Sequence, residues 1–209
     1  MDTYHIDLER IDLDEYWDSL RAARLMPGRK VLHEDMDARL AALEAAGITN
    51  LLELAEALKT KQRLAAFAKH SGLDEEYLVV LRREAGSLTP NPVPLDRFPD
   101  VSEQDVKTLA KQGVRNSKQL WENPGQGPAE LYELSDLVRI NGVGPVFAQM
   151  LRDVGVCSVA ELAQCRAGEL FRKLVESNAE TKRTRAKFSE PDFRLCVETA
   201  AMLAGAIKE

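Results

Sequence analysis

Leucine, glycine and aliphatic positions recur along this chain at a spacing that fits helices joined by tight turns. Leu43-Glu-Ala-Ala-Gly47-Ile48 with Leu54, Leu109-Ala-Lys-Gln-Gly113-Val114 with Leu120, and Leu151-Arg-Asp-Val-Gly155-Val156 with Leu162 share one template. In each, a helix runs to a glycine whose missing Cβ permits a left-handed turn. An aliphatic residue then enters the core and a second helix begins. Asn50, Asn116 and Ser158 stand at the restart, with Glu53, Gln119 and Glu161 three residues later. A side-chain oxygen that accepts from an orphan amide, answered by a Glu or Gln that reaches back, is a capping box. The pattern predicts a helix-turn-helix unit repeated three times.

The second and third copies remain in register further upstream. Leu95-Asp-Arg-Phe98-Pro-Asp-Val101-Ser overlays Leu137-Val-Arg-Ile140-Asn-Gly-Val143-Gly without a gap. The first copy reads Leu32-His-Glu-Asp-Met36 in the same region and matches weakly. Between copies one and two, residues 59–86 predict two helices parted near Ser71-Gly72, the second opening at Leu73-Asp-Glu-Glu. Thr89-Pro-Asn-Pro-Val-Pro94 breaks the helical pattern. It reads either as an extended connector between domains or as an ordered loop within one. The organisation expected is an N-terminal arm or helix over 1–27, a first unit with two further helices over 28–88, a connector over 89–94, and two units with a closing helix over 95–209.

Leu, Ala, Glu, Lys and Arg dominate the long segments and aromatics make up only 6% of the chain, which favours helix over sheet. The fold class expected is all-α. Apolar runs fall short of the roughly 20 residues that span a membrane. The opening MDTYHIDLER lacks the basic-then-apolar order of a secretory signal, so a cytoplasmic protein that does not enter a membrane is expected. Cys157, Cys165 and Cys196 have no metal-ligand spacing and read as small apolar residues. His5, His33 and His70 are scattered, and no phosphate-binding loop or nucleophile motif is present, so no enzyme is expected.

Net charge is -6, so the field of the whole molecule repels polyanions and any nucleic-acid contact must be local. The charge is also uneven. Residues 1–18 hold seven acids against one Arg, whereas Lys182, Arg183, Arg185 and Lys187 follow one another with no acid between them. Tyr4 to Arg21 is an acidic amphipathic segment. Asp12 or Asp14 can cap a helix to about Leu25, ended by Met26-Pro-Gly-Arg29. Ile6, Leu8, Ile11 and Leu13 either pack on the first repeat or serve a protein partner.

Leu137-Val-Arg-Ile140-Asn-Gly142-Val143-Gly144-Pro145-Val-Phe-Ala148-Gln-Met-Leu151 resembles the helix-hairpin-helix motif of the SAM-domain-like superfamily. That motif has an aliphatic before a Gly-aliphatic-Gly hairpin, an alanine four residues on and an aliphatic three beyond. The wider chain, from about residue 39, resembles a bacterial domain of unknown function built of tandem helix-hairpin-helix motifs. Its third unit runs on through a stretch like 169–178 to a closing helix, here about Pro191 to Lys208. The fold so implied is three diverged tandem units, with an intact hairpin only in the third. The resemblance implies that the hairpin amides of Gly142, Gly144, Val146 and Phe147, with Asn141 and Val143 in the turn, hold a phosphate of DNA or RNA, sometimes beside a monovalent cation. Such contact positions the backbone and reads no sequence. Arg139, Arg152, Lys182, Arg183, Arg185 and Lys187 are the cations available to assist. Two departures stand against this: Val146-Phe147 occupies the place where DNA-binding members carry Lys or Arg, and Asp100 occupies the second hairpin. The alternative expectation is a protein-interaction scaffold in which the repeats are structural only.

Overall fold

The computed structural model describes residues 3–23 and 25–205. Among them the chain is all-α, with twelve α-helices, short 3-10 turns and no strand. The helices are α1 (Leu13–Ala22), α2 (Met36–Ala45), α3 (Leu51–Leu58), α4 (Lys61–Ser71), α5 (Glu75–Ala85), α6 (Glu103–Lys111), α7 (Ser117–Trp121), α8 (Ala129–Leu137), α9 (Pro145–Asp153), α10 (Val159–Ala163), α11 (Ala167–Thr181) and α12 (Glu190–Gly205). The expected continuation of the last helix to Lys208 lies outside the described residues. Two compact units emerge, residues 7–87 and residues 88–209 together with residues 1–6.

The repeated template is present three times with the same bonds. Gly47, Gly113 and Gly155 take φ of +86°, +86° and +84°. The amide one residue later donates back to the leucine five positions earlier: Ile48 to Leu43 at 3.1 Å, Val114 to Leu109 at 2.9 Å and Val156 to Leu151 at 3.0 Å. This is the bond pattern of a glycine-terminated helix. Asn50, Asn116 and Ser158 then accept from the amides of Glu53, Gln119 and Glu161 at 3.0, 3.0 and 3.1 Å. The return bond differs from the expected box by one residue. Glu53, Gln119 and Glu161 accept from the amides of Thr49, Arg115 and Cys157, the residues before the caps, at 2.7, 2.8 and 2.7 Å.

The start of the second helix in each copy also needs a partner for its first amide. In the first copy Leu51 donates to the carbonyl of Ile11 at 3.0 Å, and in the second Ser117 donates to the carbonyl of Val93 at 2.8 Å. A short extended segment is therefore laid across each restart, bridging Asp12 to Asn50 and Pro94 to Asn116. In the third copy a side chain does the same work. Val159 donates to Asp136 Oδ2 at 2.7 Å. Three copies thus meet one backbone requirement, two with a strand-like segment and one with a carboxylate.

In residues 7–87, Trp17 is fully buried and its indole N–H donates to the Met36 carbonyl at 2.9 Å. Leu32, Leu43, Leu51, Leu54, Leu58, Leu78 and Leu81 complete that core. Helix α1 stops at Ala22, earlier than expected, with Ala23 extended, and Asp12 at its N-cap makes no side-chain capping bond because residues 11–13 are bridged to the first copy. Ile11, Leu13, Tyr16, Trp17 and Leu20 are buried while Asp14, Glu15 and Asp18 face outward. Helices α4 and α5 part at Gly72, φ +73°, and Asp74 caps Tyr77 at 2.9 Å.

In the second unit the core joins Leu95, Phe98, Leu109, Leu120, Leu134, Leu137, Ile140, Leu151, Leu162, Leu174 and Phe193. Ile6 packs against this core. At the end of the proline segment, Val93 also donates to Ser117 Oγ at 2.9 Å.

Candidate functional site

The third hairpin links α8 to α9 through residues 138–144. Gly142 has φ +84° and the Val143 amide donates to the Ile140 carbonyl at 3.0 Å, which turns Val143 into the core. Gly144 is the N-cap of α9, Pro145 follows at the first helical position, and the first bond of the helix runs from Ala148 to the Gly144 carbonyl at 2.8 Å. The amides ahead of that bond have no acceptor within the helix, and no side chain caps them. Gly142, Gly144 and Val146 are exposed, and Asn141 and Pro145 half-buried. A Cβ on either glycine would meet nothing within 4 Å. At Gly144, where φ is -83°, neither backbone nor packing calls for a missing side chain.

The second hairpin keeps the same turn by another residue. Asp100, the counterpart of Gly142, takes φ +60°, and Ser102, the counterpart of Gly144, caps the amide of Asp105. In the first copy the left-handed residue is Asp35, φ +47°, which is itself the N-cap of α2, so the turn is shorter.

The six cations separate into two groups. Arg139 is 3% exposed, with Asp136 against one nitrogen, Nε donating to the Tyr4 carbonyl at 2.8 Å and Nη2 to the Thr3 carbonyl at 3.1 Å. It is buried and each of its three nitrogens is bonded within the chain, so it serves the structure and is not offered to a phosphate. Arg152 is held by Glu130 and Glu133, both at 2.7 Å, which raises its pKa. Arg183 bridges Asp153 and Asp100, the latter at 2.6 Å, and its pKa is likewise raised by these carboxylates. Lys182, Arg185 and Lys187 remain exposed without an ion pair among the described residues. Asp136 accepts from Trp121 Nε1 at 2.9 Å besides Arg139 and Val159, so both oxygens of this buried carboxylate are hydrogen-bonded.

The basic run is placed beside α9. Arg183 meets Asp153 at the C-terminal end of that helix, and Phe188 stacks on Phe147 in its first turn, ring centroids 5.5 Å apart. Residues 183–188 therefore run along α9 in the opposite direction, and Lys187 directly precedes the residue that stacks on its first turn. Asn178 fastens the start of the run, donating to the Thr184 carbonyl at 3.0 Å and accepting from its amide at 3.1 Å. Phe193 meets both Phe147 and Phe188 edge-on, at 5.4 and 5.8 Å. Sequence reasoning overlooked Phe188 and Asp153. An aromatic directly after the basic run was the only local signal for the first, and nothing local marks the second.

Burial raises the thiol pKa of Cys157 and Cys165, and that of Cys196 to about 11, which removes them as thiolates at neutral pH. No described helix is long and apolar enough to cross a membrane. A family model described as "Domain of unknown function (DUF4332)" matches residues 129–202, from α8 into α12, about a third of the chain. No curated protein and no solved structure matches the chain. The third copy and the two helices after it, the span that carries the open hairpin and the basic run, are thus similar to that domain of unknown function.

Proposed function

We propose that the chain is a non-catalytic binding protein, a tandem helix-hairpin-helix protein whose third hairpin contacts a nucleic-acid backbone without reading its sequence. The observation that carries this reading is the first turn of α9, which no side chain caps, with the segment that holds exposed Arg185 and Lys187 anchored to that turn by the Phe147–Phe188 stack. Free amides at a helix N-terminus, together with the helix dipole, favour an anion. Lys182, Arg185 and Lys187 supply the mobile positive charge, and the amides of Gly142, Gly144, Val146 and Phe147 supply the fixed donors. A monovalent cation at the Gly142–Gly144 turn would fit the same role of bringing phosphate close.

The test exploits the chemistry of Gly144. Asp is among the favoured N-cap residues, so Gly144→Asp leaves α9 as stable as before or slightly more so. It also sets a carboxylate where the phosphate would lie, and like charges brought together cost several kcal/mol. Fluorescence anisotropy with labelled duplex DNA and with a single-stranded RNA is expected to show roughly a tenfold or greater loss of affinity for Gly144→Asp, with an unchanged melting temperature. Arg185→Glu with Lys187→Glu is expected to do the same. Wild-type affinity in these variants, or no binding by the wild-type chain, would transfer the argument to the scaffold reading, in which the acidic face of residues 9–18 meets a protein partner.

A further inference from the structure

Residues 3–6 form a segment bound by the second unit, and the chain between them and Leu88 belongs to the other unit. Their grip is specific. Arg139 donates to two successive carbonyls, of Thr3 and Tyr4. The Tyr4 hydroxyl meets Ser117 Oγ at 2.7 Å, its ring packs edge-on to Trp121 with centroids 5.7 Å apart, and Ile6 reaches the apolar core. Trp121 in turn lies beneath the Arg139 guanidinium, 4.3 Å from ring centroid to carbon. Tyr4, Ser117 and Arg139 are each at least 97% buried.

The receiving side is fixed independently of the segment. Asp136 holds Arg139, and also holds Trp121 and the start of α10. Ser117 is held as the first residue of α7 by the bond to Val93. What residues 3–6 provide are two carbonyls, one aromatic ring with a hydroxyl and one aliphatic side chain. None of these depends on residues 7–87, which intervene between the segment and its slot. A short segment that docks on a unit from which it is separated along the chain can be supplied by an identical molecule.

We propose that Ser117, Trp121 and Arg139 form a peptide-binding slot, filled within the chain by residues 3–6, and that a second copy of the chain fills it when the resident segment is displaced. The slot recognises an extended segment through main-chain carbonyls, so affinity comes from the backbone, and Tyr4 with Ile6 gives the selectivity. The proposal stands apart from the phosphate reading, since Arg139 is buried against residues 3–4 and none of the slot's groups is an open hairpin amide or a residue of the basic run.

The full-length chain tests it. Tyr4→Ala removes the resident anchor, while a fluorescein-labelled peptide of residues 1–8 offers the segment of a second copy. The peptide is expected to bind Tyr4→Ala about tenfold or more tightly than it binds the wild-type chain, because in the wild type the tethered segment competes for the slot within the same molecule. The same peptide with alanine for Tyr4 is expected not to bind. Tyr4→Phe keeps the ring and loses only the hydroxyl, so it gives an intermediate affinity and replaces Tyr4→Ala if that chain is unfolded by circular dichroism. Equal binding to the wild-type and variant chains overturns the proposal, as does no binding to a folded variant.

Discussion

Salt dependence separates what the residues offer from what the fold leaves free. Six cations, Arg139, Arg152, Lys182, Arg183, Arg185 and Lys187, lie near the third hairpin in sequence or in the run after it. Three of them are bound to carboxylates in the folded chain. Each phosphate neutralised on B-DNA contributes about -0.9 to the slope of log affinity against log salt, so three free cations give about -2.7 and six would give about -5.4. Raising salt fourfold, from roughly 50 to 200 mM, should weaken duplex binding about 40-fold in the first case and nearly 2,000-fold in the second. Two variants bracket the count. Lys187→Ala should flatten the slope to about -1.8 and reduce the fourfold-salt effect to about 12-fold. Val146→Lys places a cation on an exposed apolar position of the first turn, 41% exposed, and should steepen the slope to about -3.6, a loss of about 150-fold. Anisotropy titrations across that salt range provide the slopes. A wild-type slope of about -4.5 would mean that the ion pairs of Arg152 and Arg183 open for DNA. A slope unmoved by both variants would place any binding surface elsewhere.

Other consequences are equally direct. Asp100 holds a left-handed φ that costs an L-residue about 1–2 kcal/mol, and its pair with the partly exposed Arg183 offsets less than 1 kcal/mol, so Asp100→Gly should raise the melting temperature slightly; a fall of several degrees would show that the pair matters more. Arg139→Met leaves Asp136 buried without its cation and should destabilise the second unit by about 3–5 kcal/mol in urea unfolding, whereas an effect below about 1 kcal/mol would mean that water replaces the guanidinium. His5 is held below its ordinary pKa of 6.5 by burial first, then by Lys118 and Arg139, with Glu122 opposing and the Tyr4 ring against it. Since the folded chain disfavours the imidazolium, the contribution of the docked segment is whole above about pH 6.5 and is lost as pH falls through the lowered value. His5→Phe should abolish this acid sensitivity in melts between neutral and acidic pH, and an unchanged pH profile would assign it to another group.

Much of the architecture was legible because its determinants are local. A glycine four residues after a leucine, an aliphatic next, and an Asn or Ser restart report backbone needs met within a dozen residues, and all three copies meet them with the same bonds. The pair of helices at residues 59–86 was legible for the same reason. The alignment of the second hairpin with the third was legible, but not that Asp100 would take the left-handed turn that Gly142 makes freely. The fate of the cations was illegible too. Whether an arginine faces solvent or a carboxylate is decided by residues such as Asp100, 83 positions from Arg183.

The third copy explains why an apparent phosphate ligand became a structural residue. Each copy must satisfy the first amide of its second helix, and the first two copies do so with a segment laid across the restart. The third has α8 and the hairpin in that place, and uses the carboxylate of Asp136 instead. A buried carboxylate needs a cation and further donors. Arg139, three residues on along the turn after α8, and Trp121 from the preceding copy provide them. Arg139 then has donors left over, which the carbonyls of Thr3 and Tyr4 accept. The arginine beside the hairpin is therefore drawn inward by a backbone requirement twenty residues away, and the charge next to α9 has to come from the segment that Phe188 pins in place. Pairing Phe188→Ala with Lys187→Ala tests that last step. If Phe188 positions the cations, its loss should remove most of the salt dependence that Lys187 carries, and the double variant should lose little more than either alone. Additive losses would mean that Lys187 finds the phosphate without the stack.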